Sequence, residues 1–341
     1  MFSFRFVMSL LVLGFGLTLS AQQRYKIVNR IPFSGHGGWD YLFADSVNRQ
    51  LYISHSSQVE VVDLDSQKPV AQITGLNRIH GIAIADDLNR GFISDGGDNL
   101  IAIFDLKSHA ISQKVKVGTN PDGIIYEPGS KRVFAFNGRS NDVTVLDAAS
   151  SKVIGTVTLG GKPEFPVIDG KGNIYVNIED KSEIVQLNSS SLQVEKRWSL
   201  APCEEPSGLA MDTSTRRLFS VCSNQKMAVV DAESGKVIAT VAIGNGPDAT
   251  AYDADKKLVF SSNGQDGTLT VIKQDSADKY AVVETIPTEK SARTMALDSK
   301  THYIYLSAAQ LGPPPAPTAD NPHPRPTIVP DSFHVLVVSG R

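Results

Sequence analysis

The feature that most constrains this chain is a repeat, which is marked by an acidic residue at the end of a short apolar segment. Successive acidic markers lie 41, 41, 42, 43, 41 and 45 positions apart. They are Asp45, Asp86, Glu127, Asp169, Asp212, Asp253 and Asp298. A period that recurs along a whole chain predicts structural units that bury their apolar faces against one another.

Each repeat unit contains short segments in which apolar and polar residues alternate, as they do in β-strands. The segment after the acidic marker reads LYIS at 51–54 and IYVN at 174–177. A third segment often ends in Asp, as in VEVVD at 59–63 and VTVLD at 143–147, and a fourth follows a Ser/Gly/Lys turn. Four strands in about 40–45 residues, without a convincing helix, are typical of a propeller blade. The sequence therefore predicts an all-β, seven-bladed β-propeller with four-stranded blades.

The two ends of the repeat region predict how the ring closes. The seventh unit stops at FHVLVVSGR (333–341), which corresponds to a third strand. One additional strand-like segment, RYKIVNRI (24–31), precedes the first unit. We expect this N-terminal strand to complete the last blade, because the pairing leaves no open sheet edge between the chain ends.

The first 21 residues differ from the rest. Arg5 precedes an apolar run at 6–19, and small residues follow at 20–21, which is typical of a cleaved signal peptide. The run is shorter than the ~20 residues of a membrane-spanning helix. We therefore expect a mature propeller at 22–341 that is soluble, periplasmic or secreted, and without a membrane span.

An insertion at 311–330 separates the second and third strands of the last unit. It contains eight prolines, whereas the other units use a few residues at this point. Proline favours an extended, preorganised backbone. The segment fits a lid over the channel mouth, a ligand for a partner protein, or a loop held against the surface.

The charge balance bears on the choice of partner. The chain has 33 Lys and Arg against 36 Asp and Glu, and loss of Arg5 with the signal peptide leaves 32 − 36 = −4. Neutralisation of phosphates drives nucleic-acid binding, so this balance disfavours it. We expect a monomer whose partner is a small ligand or an envelope protein.

The repeat resembles the YVTN β-propeller repeat, through IYVN at 174–177 together with the V-x-V-x-D strand and the GKV turn. Longer segments resemble the exported, YncE-like branch of that family. These are GGWDYL (37–42), HGIAIADD (80–87), FAFNGRSNDVTVLDA (134–148), GGKPEF (160–165), NIEDKSEIV (177–185), APCEEPSGLA (201–210), SSNGQDGTLTV (261–271) and RTMALD (293–298). The resemblance covers essentially the whole mature chain and implies the propeller fold. It implies little about function, because the family consists mostly of binding or surface proteins without an agreed chemistry.

One residue in each unit is expected at the same radial position of one channel mouth, five positions before the acidic marker. These seven residues, here called the mouth ring, are Asp40, Gly81, Asp122, Glu164, Ser207, Asp248 and Arg293. Four are carboxylates, which would make the mouth electronegative and attract cations or donor-rich ligands. Several follow proline, so they also fit turns in which an acid accepts a local backbone N–H. His80, Glu204 and Glu205 on adjacent loops are further ligand-binding candidates.

Three histidines, His36, His55 and His80, fall on neighbouring loops of the same face. With Asp40 they could form a site for a divalent metal such as Zn²⁺ or Cu²⁺. No short H-x-x-x-H spacing supports this hypothesis, and histidines in turns are usually ordinary hydrogen-bonding groups. No cofactor other than this metal is suggested by the sequence.

Cys203 and Cys222 both belong to the fifth unit. One precedes the first strand and the other ends the second, so antiparallel pairing of these strands brings the thiols to the same end of the sheet. In an exported protein this favours a disulfide bond. Two buried thiols and a soft-metal pair are the alternatives.

The absence of a recognisable catalytic motif favours a binding or interaction propeller that holds its ligand at the loop-lined mouth. The alternative is an enzyme similar to propeller lactonases or lyases. In that case Glu164 or Glu204 would act as a base, and Arg139 or Arg293 would stabilise a developing oxyanion. Nucleic-acid binding, which has been proposed within the YncE-like branch, is the second alternative.

Overall fold

The computed structural model describes residues 25–318 and 324–340. The first strands in chain order are β1 (Tyr25–Pro32), β2 (Trp39–Asp45), β3 (Gln50–His55), β4 (Gln58–Asp63), β5 (Lys68–Ile73), β6 (Ile79–Ala85), β7 (Arg90–Asp95), β8 (Leu100–Asp105), β9 (Ile111–Lys116), β10 (Pro121–Glu127), β11 (Arg132–Asn137), β12 (Asp142–Asp147), β13 (Val153–Thr158) and β14 (Pro163–Ile168). The remaining strands are β15 (Asn173–Ile178), β16 (Glu183–Asn188), β17 (Val194–Ser199), β18 (Pro206–Asp212), β19 (Arg217–Cys222), β20 (Lys226–Asp231), β21 (Val237–Ala242), β22 (Pro247–Asp253), β23 (Leu258–Asn263), β24 (Thr268–Ser276), β25 (Lys279–Pro287), β26 (Thr294–Asp298), β27 (Tyr303–Ala308) and β28 (His334–Gly340). Two single turns of 3₁₀-helix, Asp86–Leu88 and Glu179–Lys181, interrupt them.

The strands form seven four-stranded antiparallel sheets, which confirms the predicted seven-bladed propeller. Blades one to six each consist of four consecutive strands, beginning with β2, β6, β10, β14, β18 and β22. Each innermost strand contacts the innermost strand of the next blade, and β26 contacts β2. The ring of inner strands is therefore closed around a central axis.

The last blade is completed by the N-terminal strand, as the sequence predicts. Its strand order is β1–β28–β27–β26, and β1 runs antiparallel to β28. The pairing extends from Tyr25 opposite Gly340 to Pro32 opposite His334. Tyr25 and Ile31 are almost completely buried, so this strand contributes apolar packing as well as backbone hydrogen bonds.

The core lies in layers between neighbouring blades. Tyr52 and Val59 of blade one, for example, pack with Ile93, Leu100 and Phe104 of blade two. Successive side chains of a strand point to opposite faces of the sheet, and both faces of each blade are covered by the neighbouring blades. The second and third strands are therefore apolar on both faces, whereas the outermost strands are largely exposed.

The acidic markers of the repeat have a structural role on the face opposite the mouth ring. Asp212, for example, accepts hydrogen bonds from the backbone and hydroxyl groups of Ser214 and Thr215 in the following turn. Others join neighbouring blades, as in the 2.9 Å contact between Arg49 Nη2 and Asp298 Oδ2. The most regular feature of the sequence therefore stabilises turns and blade contacts.

Cys203 and Cys222 form a disulfide bond, and both residues are fully buried. This pairing confirms the disulfide that the sequence favours over free thiols or a metal pair. It joins the loop before β18 to the end of β19 within blade five. Disulfides persist in oxidising compartments outside the cytosol, so the bond fits an extracellular protein.

The remaining predictions about chain organisation concern the two ends and the insertion. The predicted signal peptide, 1–21, lies outside the described residues. Within residues 25–318 and 324–340, no helix has the length and apolar character needed to cross a membrane. The insertion folds back near its base, where Leu311 bridges Ile328 in antiparallel fashion, and Ile328 packs against the core between blades one and seven.

Candidate functional site

Irregularities in the inner strands position the mouth ring. In six blades the register with the second strand shifts where the ring residue lies, in the manner of a β-bulge. The shifts lie between Trp39 and Leu42, Ile79 and Ile82, Pro121 and Ile124, Pro163 and Pro166, Pro206 and Leu209, and Pro247 and Ala249. A bulge bends the strand and redirects a side chain. The same bulge therefore recurs around the channel, and the blades differ in the residue at the ring position.

The ring positions of blades one to three come together around one histidine. His80 Nδ1 forms a 2.6 Å hydrogen bond with Asp40 Oδ2 and lies 3.8 Å from Asp122 Oδ1. The three residues are supplied by β6, β2 and β10, respectively. Gly81 makes this close approach possible, because a Cβ there would lie 2.9 Å from the backbone oxygen of Asp122.

Blades five to seven form the other half of the ring. Arg293 forms an ion pair with Asp248 and lies 3.7 Å from Asp40 Oδ1. Its guanidinium also donates to the backbone oxygen of Trp39 at 2.9 Å. Ser207 Oγ donates to Asp248 Oδ1 at 2.6 Å. Polar contacts thus connect blades five, six, seven, one, two and three in sequence.

The carboxylate of blade four has a partner that the sequence reasoning missed. Lys162 Nζ lies 2.7 Å from Glu164 Oε1 and also pairs with Glu179. The signal was present in the segment GGKPEF, where a lysine stands two residues before the ring position. Because Lys162 carries a full charge next to Glu164, the ring is less acidic than its own seven residues suggest.

An aromatic pair crosses the channel next to the ring. Tyr41 of blade one stacks on Phe165 of blade four, with ring centroids 4.2 Å apart. Each directly follows a ring carboxylate along its inner strand, so the pair forms a floor beneath the mouth. The hydroxyl of Tyr41 is buried and has no hydrogen-bond partner among the described residues. It lies against Gly123, 3.4 Å from the position that a Cβ would take there.

Burial and mutual repulsion perturb the ionisation of the ring. Burial, followed by the charge of Asp40, raises the pKa of Asp122 to about 7. Burial, followed by the charge of Asp122, raises the pKa of Glu164 well above its usual range, although Lys162 opposes the shift. Burial and the four nearby carboxylates likewise raise the pKa of the Tyr41 hydroxyl.

The pKa values of Asp40 and His80 shift in opposite directions. Burial opposes ionisation of Asp40, but the hydrogen bond from His80 and the charges of Arg293 and Arg325 hold its pKa below the usual value. Burial disfavours the imidazolium of His80, but the hydrogen bond to Asp40 and the charge of Asp122 raise its pKa. Arg325 belongs to the proline-rich insertion, which therefore brings a positive charge near the mouth.

The structure does not bring the three predicted histidines together. His36 is exposed, whereas His55 is buried, lies 3.1 Å from Glu60 Oε1 and stacks on Phe333. Imidazole packing and a carboxylate partner therefore account for His55 as a core residue. Of the three, His80 is the one that joins Asp40.

Within the described parts of the chain, two groups bring at least three potential metal-ligating side chains within 4.8 Å of one another. One is the group Asp40, His80 and Asp122 at the mouth. The other is Asp253, Asp255 and His302, which lies on the opposite face at the turns after the inner strands. Neither group contains His36 or His55.

The other predicted site residues lie on loops around the mouth. Glu205 accepts a 2.9 Å hydrogen bond from the hydroxyl of Ser223, in the turn between the second and third strands of blade five. Glu204 is exposed next to it, and Arg139 is exposed in the equivalent turn of blade three. These residues can reach an incoming ligand from the rim, whereas Asp122 and Glu164 lie deeper.

Comparison with known proteins agrees with this architecture. No protein-family model matches the chain. The uncharacterized protein YncE of Salmonella typhi is 24% identical over 178 residues, which cover 51% of this chain and 49% of that protein. The match therefore spans about half the length of this relative. Over that half, this chain is similar to YncE.

The fold of this chain is also similar to that of a solved structure. A chain of Kuenenia stuttgartiensis hydrazine synthase superimposes with a TM-score of 0.70, covering 80% of this chain and 93% of that one. The two sequences are 16% identical. At this identity the similarity supports the propeller fold of this chain and leaves its activity to be argued from the mouth itself.

Proposed function

We propose that this protein is an exported binding propeller that holds a small ligand bearing a cationic or hydrogen-bond-donating group at the mouth ring. The supporting observation is that Asp122 lacks a cationic partner of its own. Among the described residues it has no Lys or Arg within ion-pair distance, and its nearest basic group, His80, is already hydrogen-bonded to Asp40. The side chain of Asp122 is 15% exposed. A largely buried carboxylate without its own cation is costly, and a bound cation or donor relieves that cost.

The surroundings of Asp122 support the same proposal. Asp40, Glu164 and Asp248 have direct partners in His80, Lys162 and Arg293, so Asp122 is the ring carboxylate available to an incoming group. The aromatic floor of Tyr41 and Phe165 limits how far a ligand can enter. A ligand would therefore approach from the mouth and contact the ring and the floor together.

Titration calorimetry with spermidine as the cationic probe and citrate as the anionic probe tests this proposal. The double variant Asp122→Asn, Glu164→Gln should bind spermidine more weakly than the parent. The control Asp65→Asn, Asp275→Asn removes two exposed carboxylates from the opposite face and should bind as the parent does. Equal losses in both variants would show that only net charge matters, and the proposal would then be wrong. Native mass spectrometry of protein purified from its own envelope would identify a retained ligand.

An enzymatic function is the second candidate, and a specific observation favours it. Asp122 and Glu164 have raised pKa values in a cleft that also contains Arg293 and Lys162, and perturbed carboxyls of this kind can transfer protons near neutral pH. A protonated Glu164 would act first as an acid, in contrast to the base suggested by the sequence. Turnover on a panel of lactones, lost in Glu164→Gln, would support this function.

A further inference from the structure

The group Asp40, His80 and Asp122 has the composition of a metal centre. We propose that it binds one divalent transition-metal ion, such as Zn²⁺, through Asp40 Oδ2, His80 Nδ1 and Asp122 Oδ1. This inference rests on the proposed function, because it identifies the cation that the same mouth takes. The two carboxylates and a neutral imidazole together carry two negative charges, which match a divalent ion.

The geometry of the donor atoms supports coordination. In a tetrahedral site with bonds of about 2.0–2.2 Å, neighbouring ligand atoms lie about 3.3–3.6 Å apart. The separations from His80 Nδ1 are 2.6 Å to Asp40 and 3.8 Å to Asp122, so they bracket this value. A small rotation of each carboxylate would therefore equalise them around an ion that replaces the proton shared by His80 and Asp40.

The elements that carry the donors are firmly held. Each donor is on the inner strand of a different blade, and β6, which carries His80, packs directly against both β2 and β10. His80 is 8% exposed, and a Cβ on Gly96 would lie 2.6 Å from its Nε2 atom. The ring is therefore wedged against the turn of its own blade, and Nδ1 is the nitrogen that faces the carboxylates.

A second observation comes from Tyr41. Its buried hydroxyl has no partner among the described residues, although it lies next to Gly123 and within the field of all four ring carboxylates. Three protein ligands leave one position of a tetrahedral ion open to a ligand. The Tyr41 hydroxyl, which lies beside Gly123 directly after Asp122, is a buried polar group at this site that no described residue satisfies.

The experiment uses the full mature protein without an affinity tag, after treatment with a chelator. Titration calorimetry with Zn²⁺ should give one site, and Co²⁺ should give the visible absorption of a low-symmetry, four- or five-coordinate ion. Repeating the Zn²⁺ titration in buffers of different ionisation enthalpy should show proton release, because the ion displaces the proton between His80 and Asp40.

The variants separate coordination from electrostatic attraction. His80→Gln and Asp122→Asn should each weaken Zn²⁺ binding about tenfold or more. His302→Gln changes the other carboxylate–histidine group and should leave this binding unchanged. Circular dichroism and thermal unfolding of each variant check that the propeller is intact. If His80→Gln fails to fold, Asp122→Asn and the Co²⁺ spectrum of the parent decide the question.

The possible outcomes are distinct from those of the proposed function. If Zn²⁺ binding survives His80→Gln but is lost in the double variant Glu164→Gln, Asp248→Asn, the ion is held by charge alone. The three-ligand site would then be wrong. If His302→Gln abolishes binding, the ion occupies the opposite face and the site is also wrong. If the parent binds spermidine but no Zn²⁺, the metal site is wrong while the proposed function stands.

Discussion

Replacing Asp122 by Asn should stabilise this protein at neutral and alkaline pH, and the gain should depend on pH in a defined way. Asn has nearly the same shape but no charge, so the replacement removes the cost of ionising a largely buried carboxyl. The pKa of Asp122 rises from its ordinary value of 3.8 to about 7 because of burial and the neighbouring charge of Asp40. A tenfold change in a proton-binding constant corresponds to about 1.4 kcal/mol of free energy.

The sign of this effect follows from linkage between protonation and folding. A raised pKa means that the folded state holds the proton more tightly than the unfolded chain does. The cost of Asp122 is therefore absent below about pH 4, grows as the pH rises and is complete above about pH 7. Ionisation of Asp122 lowers the free energy of unfolding by about 2 kcal/mol at about pH 5 and by about 4 kcal/mol at about pH 8, where the cost is complete.

Urea denaturation of the parent and of Asp122→Asn at about pH 5 and about pH 8 measures this difference in the free energy of unfolding. We expect the advantage of the variant to increase by about 2 kcal/mol between the two pH values. An equal advantage at both, or a less stable variant at about pH 8, would refute the reasoning. Such a result would mean that Asp122 is already satisfied as a carboxylate.

Asp212→Asn is a matched control of opposite sign. Asp212 is also buried, and burial opposes its ionisation, but hydrogen bonds from Ser214, Thr215 and Gln274 lower its pKa to about 2. Its stabilising contribution is present above its ordinary pKa and is lost as the pH falls through about 2. The variant should therefore be less stable than the parent by about 2 kcal/mol at both about pH 5 and about pH 8.

Three further outcomes are expected. Reduction of the Cys203–Cys222 disulfide, which closes a loop with a sequence separation of 19, should cost about 3 kcal/mol and lower the melting temperature by about 5 °C; freely alkylated thiols in envelope-purified protein would contradict the bond. Deletion of residues 22–32 should abolish cooperative unfolding, since it removes β1 from the last blade; a truncated protein that melts like the parent would contradict the closure. Arg293→Ala should shift the preference of the mouth from citrate towards spermidine, and unchanged relative affinities in calorimetry would contradict its role.

Local sequence patterns determined most of the fold. The alternation of apolar and polar residues predicts strands, because successive side chains of a strand point to opposite faces. The period of 41–45 residues predicts the number of blades, and the count of strands at the two ends predicts that β1 completes the last blade. The disulfide followed from the same register, since both cysteines lie at one end of adjacent antiparallel strands.

The composition of the candidate site was only partly accessible from the sequence. The repeat register identified Asp40, Asp122 and Glu164, because equivalent positions of a repeat occupy equivalent places around an axis. It did not identify Lys162 as the partner of Glu164. It also grouped His36 and His55 with His80 by face alone, although a shared face leaves open which way each side chain turns.

Tertiary structure decided the chemistry of the mouth. Tyr41 and Phe165 meet across the channel because blades one and four face each other in the closed ring, although 124 positions separate them in the chain. The raised pKa of Asp122 depends on how deeply it is buried and on the charge of Asp40 from another blade. Local sequence encodes strands, turns and their repetition, whereas burial and distances between blades exist only after the ring has closed.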